Sequence, residues 1–204
     1  MREATAHLAS LDPVLAGLVD RHGRPPARRP VRADRRFESL AEIIVFQQLA
    51  GRAAATIHGR FVSALDGAVT PAAVRSSPDA LLASCGLSRA KAASIRDLAD
   101  RVSDGRISLE QIGRLSDEEV VDHLTEVRGI GPWTAQMFLL GTLGRLDVWP
   151  TGDYGVRAGF GRAWGLGGTP TARELVELGE PFRPYRSLVA WYCWRAADER
   201  PGGA

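Results

Sequence analysis

Helix-start signals recur along this whole chain, and no stretch alternates apolar and polar residues as a half-buried strand would. Asp12-Pro13, Thr70-Pro71 and Ser77-Pro78 each set a capping side chain before a proline, the residue that suits a helix's first turn. Ser88 opens a further helix through about Val102, and Ser116 with Glu119 three residues on forms a capping box ahead of Val120, Val121 and Leu124. Phe37 to Ala50 carries apolar residues at Phe37, Leu40, Ile43, Ile44 and Phe46, which is helical spacing, and Ala53 to Leu65 continues the pattern after Gly51. Further helices are expected near 153–164, 171–179 and 185–198. The spacing predicts an all-α protein of about ten short helices.

Length and composition narrow the class. At 204 residues the chain forms one compact domain or two small lobes. It has no apolar run of about 18 residues, so no membrane span is expected. Met1-Arg2-Glu3-Ala4 lacks a signal-peptide pattern, which points to the cytoplasm, a bacterial cytosol or nucleoid. Two cysteines, Cys85 and Cys193, are too few for a four-thiolate iron–sulfur cluster or zinc centre. His7, His22, His58 and His123 are scattered and show no metal-ligand spacing, so no side-chain metal site is expected.

The charge is +2, which permits nucleic-acid binding without demanding it. Seven arginines lie between Arg21 and Arg36 with one acid, Asp34, and three prolines, Pro25, Pro26 and Pro30. That composition makes an extended connector, either a solvated linker or a strap on phosphates. Of 26 basic residues, 25 are arginine; the single lysine, Lys91, falls on an alanine-rich helix and reads as a solvated surface residue.

Chemistry concentrates around Leu124-Thr-Glu-Val-Arg-Gly-Ile-Gly-Pro-Trp-Thr-Ala-Gln-Met-Phe-Leu-Leu140. One helix stops at Gly129 and Gly131, and another starts at once. Glycines admit a positive φ and a close backbone, and the amides opening the second helix suit a phosphate oxygen. Ile130 between them would bury and lock the turn. Taken alone, this is also what a tight helix–helix turn looks like.

The segment resembles the helix–hairpin–helix of the base-excision DNA glycosylase superfamily that contains endonuclease III and 3-methyladenine DNA glycosylase II. Asp147-Val-Trp-Pro-Thr-Gly-Asp153-Tyr154 is similar to the loop that follows the hairpin in that superfamily. Phe37 to Ala50, ending Gln47-Gln48-Leu49-Ala50, resembles its glutamine-bearing helix end, and Pro184 to Trp194 resembles the last helix of the 3-methyladenine branch. The four elements stand in the family's order over roughly residues 5 to 198.

The resemblance implies a two-lobed helical bundle with a cleft between the lobes. One lobe would be formed by about 37–130, the other by the N-terminal helix plus about 131–200. It implies that Asp153 is the catalytic carboxylate, although an aspartate opening a helix is also an ordinary N-cap, and both can hold. Asp147 reads as a structural acid that braces the loop. Leu49 would be the wedge that fills the duplex when a base is flipped out, or else a core residue ending its helix. The base pocket would comprise Trp133, Trp194, Met137 and Gln48; for Trp194 the alternative is core packing with Leu188 and Trp191. Amides near Gly129 and Gly131, with the Thr134 hydroxyl, would hold phosphate.

Position 133 discriminates between branches. Where strand-cutting relatives carry a lysine nucleophile, this chain has Trp133, which implies a monofunctional enzyme that uses water. An indole face also attracts a cationic alkylated purine. Met137 and Arg195 depart from the branch's tyrosines, which bears on base preference. The length matches the compact form without the extra β domain, and no cysteine quartet follows the last helix. No cofactor is required; a monovalent cation (Na+ or K+) could be held by backbone carbonyls from about Thr125 to Ile130. The partner expected is double-stranded DNA with damaged bases, bound by a monomer. Alternatives are a glycosylase for deaminated or mismatched bases, or a non-enzymatic damage-binding module.

Overall fold

The computed structural model describes residues 1–27, 29–49 and 51–199, and Arg28 of the arginine-rich connector and Ala50 fall outside these. Among the described residues there are twelve α-helices, more than the ten expected, and no strand. They are α1 (Arg2–Leu11), α2 (Pro13–His22), α3 (Arg36–Phe46), α4 (Gly51–Ala64), α5 (Pro71–Ser76), α6 (Asp79–Ser84), α7 (Arg89–Ser103), α8 (Asp117–Thr125), α9 (Pro132–Gly141), α10 (Tyr154–Ala163), α11 (Ala172–Gly179) and α12 (Arg186–Asp198). None of the described helices is long and apolar enough to cross a membrane. Most caps read from sequence form: Asp12 accepts from Val14 and Leu15 amides, Thr70 from Ala73 and Ser88 from Lys91, and the Ser116–Glu119 box closes in both directions. Ser77 does not cap α6, because its hydroxyl donates back to the Ala73 carbonyl. Helix α1 carries no side-chain cap, so its start gave no signal.

The chain divides into two compact units. The first comprises Met1–Arg29 with Arg145–Ala204, the second Pro30–Gly144. The boundary expected near residue 130 is therefore displaced. Helix α9 packs on α3 and α8, burying Ala135, Phe138 and Leu139, so residues 131–144 belong to the second unit.

The core of the first unit is built where α10 lies on α12, with α2 against α12. Leu15, Leu18, Val156, Phe160, Leu188, Val189 and Tyr192 fill it. Gly159 makes the α10–α12 approach possible: a Cβ there would run into the Cys193 carbonyl. In the second unit, α7 packs on α3, α5 and α6, and Ile95, Leu98 and Ala99 are fully buried.

Helix α3 is shorter than its apolar spacing predicted. It ends at Phe46, and Gln47 to Leu49 form a turn in which Gln48 takes a φ of +54°. Glutamine has a Cβ that makes this conformation costly, by about 1 kcal/mol.

Candidate functional site

In the first unit, the segment from Arg145 to Asp153 is pinned from several sides. Ser187 donates to the Arg145 carbonyl at 2.8 Å and accepts from the Val148 amide at 2.9 Å. Arg186 grips Asp147 through Nε at 2.8 Å and Nη2 at 2.9 Å, and Arg183 adds a contact at 2.7 Å. Burial pushes the Asp147 carboxyl up, but the hydrogen bonds and charge of Arg186, with Arg183 beyond, outweigh this and hold it below the usual aspartate range. The bracing role read for Asp147 is what the geometry displays. Trp149 is buried, donates to the Leu175 carbonyl at 2.7 Å, and lies so close over Gly179 that no side chain fits there.

This scaffold delivers Asp153 to the start of α10. Its Oδ1 accepts from the Val156 amide at 2.8 Å, which is the N-cap, and from the Trp194 indole at 2.9 Å. The carboxylate plane is thereby set by two donors from different helices. Trp194 is half-buried, packs with Trp191 against the core that holds Leu188, and at the same time spends its indole N–H on Asp153. Gly155 admits the indole: a Cβ would come within 2.9 Å of Trp194 Cδ1 and 3.2 Å of Asp153 Oδ1. Neighbouring Cys193 is fully buried, and burial, with Asp153 second, pushes its thiol far up, so it stays protonated and inert. Arg195 lies over Trp191, 5.0 Å from the ring centroid.

In the second unit, α8, residues 126–131 and α9 form the helix–hairpin–helix. Gly129 has a φ of +74° and sits directly on Ser94 Oγ, leaving no room for a Cβ. Ile130 is buried, as expected for the lock of the turn. Gly131 is the N-cap of α9 and brings no capping oxygen of its own. Thr134 departs from expectation. It is 2% exposed and accepts from Gln47 Nε2 at 2.8 Å, so its hydroxyl is turned inward and is not offered to phosphate. Trp133 and Met137, in the same helix, are half-buried.

Gln47, beside the glutamine singled out from sequence, makes the link between segments. Its Nε2 also donates to the Gly129 carbonyl at 3.1 Å, which ties the end of α3 to the hairpin. Gln48 is exposed, and Leu49 is 38% exposed outside any helix, so Leu49 is not a core residue ending α3. Lys91 is likewise not the solvated side chain expected. Its ammonium donates to the Val45 and Gln47 carbonyls, 2.7 Å each, and burial pushes its pKa down from the ordinary lysine value. Sequence reasoning passed over Gln47, Ser94 and Gly155 because their partners lie far along the chain. The Gly155–Gly159 spacing of four was the one available hint of a helix face made for close contact.

Among the described residues no group of histidine, cysteine or carboxylate side chains could hold a metal ion. Of the hairpin carbonyls, Val127 O accepts from the Ile130 amide at 3.0 Å and Gly129 O from Gln47. Each carbonyl oxygen retains a second lone pair.

An all-α chain with a glycine hairpin between helices and a doubly held aspartate at a helix start has the equipment of a helix–hairpin–helix DNA-repair protein. Residues 41–184 match the HhH-GPD superfamily of base excision DNA repair proteins, and the chain belongs to that family. A 3-methyladenine DNA glycosylase of Schizosaccharomyces pombe is 32% identical over 97% of this chain and 88% of its own length. The S. pombe enzyme solved in complex with abasic DNA superposes with a TM-score of 0.87 at 33% identity, covering 95% of both chains. A DNA-3-methyladenine glycosidase of Bacillus halodurans gives 0.78 at 32% identity, covering 93% of this chain and 86% of that one.

Proposed function

We propose that this protein is a monofunctional DNA glycosylase that flips alkylated bases of the 3-methyladenine kind out of duplex DNA and hydrolyses the N-glycosidic bond, leaving an abasic site. The observation that carries this is the fixed carboxylate of Asp153, held by the Val156 amide and the Trp194 indole. The relatives named for 3-methyladenine, one of them bound to abasic DNA, support the substrate class.

In this reading the bond between the base and C1′ breaks with its electron pair leaving on the base, and the sugar becomes oxocarbenium-like. Asp153 stabilises that positive charge and accepts a proton from the water whose oxygen adds to C1′. An alkylated purine already carries positive charge, which makes it a good leaving group and a partner for the indole faces of Trp133 and Trp194. Met137 and Gln48 complete the base-contacting set. Trp133 in place of a lysine means that no amine forms a Schiff base with the sugar, so strand cleavage does not accompany base release. Leu49, exposed on its strained turn, fills the space left by the flipped nucleotide. Backbone amides at Gly129 and Gly131 hold phosphate. The chemistry calls for no cofactor; a sodium or potassium ion would bind through the second lone pairs of the hairpin carbonyls. The working compartment is the one that holds the DNA, a bacterial cytosol or nucleoid.

The test is Asp153→Asn with a panel of lesion oligonucleotides carrying alkylated, deaminated and mismatched bases, with and without alkali. Release of alkylated bases should fall by about 100-fold or more while duplex affinity is kept. Near-wild-type release by the variant sinks the role of Asp153. Release of uracil or mismatched bases in preference to alkylated ones overturns the substrate class, binding without release from any lesion overturns the enzyme, and cleavage without alkali overturns the monofunctional reading.

A further inference from the structure

One row of side chains on α7 supports both segments that the proposed function places on DNA. Lys91, Ser94 and Asp97 follow one another at spacings of three, which is one stripe of a helix. Lys91 holds the Val45 and Gln47 carbonyls at 2.7 Å each. Ser94 lies buried beneath Gly129, and Asp97 Oδ2 accepts from the Arg128 amide at 2.8 Å. Gln47 joins the two supported segments through the Gly129 carbonyl and Thr134.

The turn that carries Leu49 has weak bonds of its own. Gln47 N to Ile44 O and Leu49 N to Phe46 O are both 3.4 Å, beyond the usual hydrogen-bond range, and Gln48 sits in the left-handed region. The carbonyls that end α3 carry the negative end of its dipole and lack helical donors. An ammonium carries three donors on one atom and can serve two converging carbonyls. In a chain with 25 arginines, this is the single lysine. Its place in the first turn of α7 opposes that helix's own dipole, so the charge serves α3 and the turn, not α7.

We infer that Lys91 is a positioning residue for base flipping: by cross-linking the carbonyl end of α3 it holds the strained turn and keeps Leu49 projecting from the surface. This rests on the reading of Leu49 as the wedge. Discrimination between damaged and intact DNA, more than general DNA affinity, is therefore the property Lys91 sets.

The experiment compares Lys91→Met, Lys91→Gln, Leu49→Ala and the Lys91→Met/Leu49→Ala double variant. Each is checked by thermal unfolding, then titrated with a duplex containing a tetrahydrofuran abasic analogue and with the intact duplex. The wild-type ratio of the two affinities should fall about tenfold in Lys91→Met and less in Lys91→Gln, whose amide can still reach one carbonyl, while intact-duplex affinity stays within about twofold. The double variant should lose no more than Leu49→Ala alone. A wild-type ratio in both Lys91 variants, or a loss that adds fully to that of Leu49→Ala, overturns the role of Lys91 and leaves the wedge standing. A wild-type ratio in Leu49→Ala overturns the wedge reading and this inference with it.

Discussion

The Trp194 indole donates to Asp153 Oδ1 at 2.9 Å, the same oxygen that caps α10 through the Val156 amide. Trp194→Phe removes the donor and keeps most of the ring. Single-turnover base release should slow by about tenfold, while stability falls by about 1 kcal/mol, the worth of one hydrogen bond. An unchanged rate would show that the carboxylate is oriented without the indole.

Gly155 and Gly159 lie on one face of α10 but meet different obstacles. At Gly159 a Cβ meets the Cys193 carbonyl, and backbone gives way only by parting α10 from α12. Gly159→Ala should therefore cost about 3 kcal/mol, read as a lowered unfolding midpoint. At Gly155 the obstacle is the edge of the Trp194 ring. Gly155→Ala should be the milder change in stability and yet slow base release, because it displaces the indole from Asp153.

Gly129→Ala meets both a φ of +74° and the Ser94 hydroxyl. Removing the hydroxyl in Ser94→Ala makes space but leaves the backbone term, about 1 kcal/mol for a residue with a Cβ. The double variant should recover part of the lost affinity for intact duplex DNA, measured by titration, but not all. Full recovery would mean that the left-handed backbone at this position is unimportant.

The Asp147–Arg186 pair sets an acid-side dependence. The carboxyl is held below its ordinary value in the folded state, so the stability it contributes is present above the unfolded pKa of about 4 and is lost as pH falls through the folded one. Asp147→Asn should be less stable than wild type by about 2 kcal/mol at neutral pH, and the gap should close on acidification below about pH 4. Chemical denaturation at several pH values reads this directly; a gap constant with pH would assign the effect to packing.

Some of this site was legible because its signals are local. Asp153 at a helix start, the two glycines around Ile130 and the Ser116–Glu119 box each depend on residues a few positions apart, where spacing and backbone preference are written in the chain. The place of Thr134 is not legible in the sequence, because its hydroxyl is claimed by Gln47, 87 residues earlier. The role of Lys91 is hidden for the same reason: its two acceptors are 46 and 44 residues away. The end of α3 has no local signal, because apolar spacing continues through Phe46 and says nothing of the turn that follows.

The all-α class, most helix starts, the hairpin and the tryptophan at position 133 were thus determined by the sequence itself, since caps, periodicity and residue identity are properties of short segments. Which carboxylate oxygen is fixed, which side chain supports the Leu49 turn, and which helix lies close enough to demand glycine were decided only by tertiary structure. Each of these depends on donors and acceptors that chain folding brings together from distant positions, and on the space left between them.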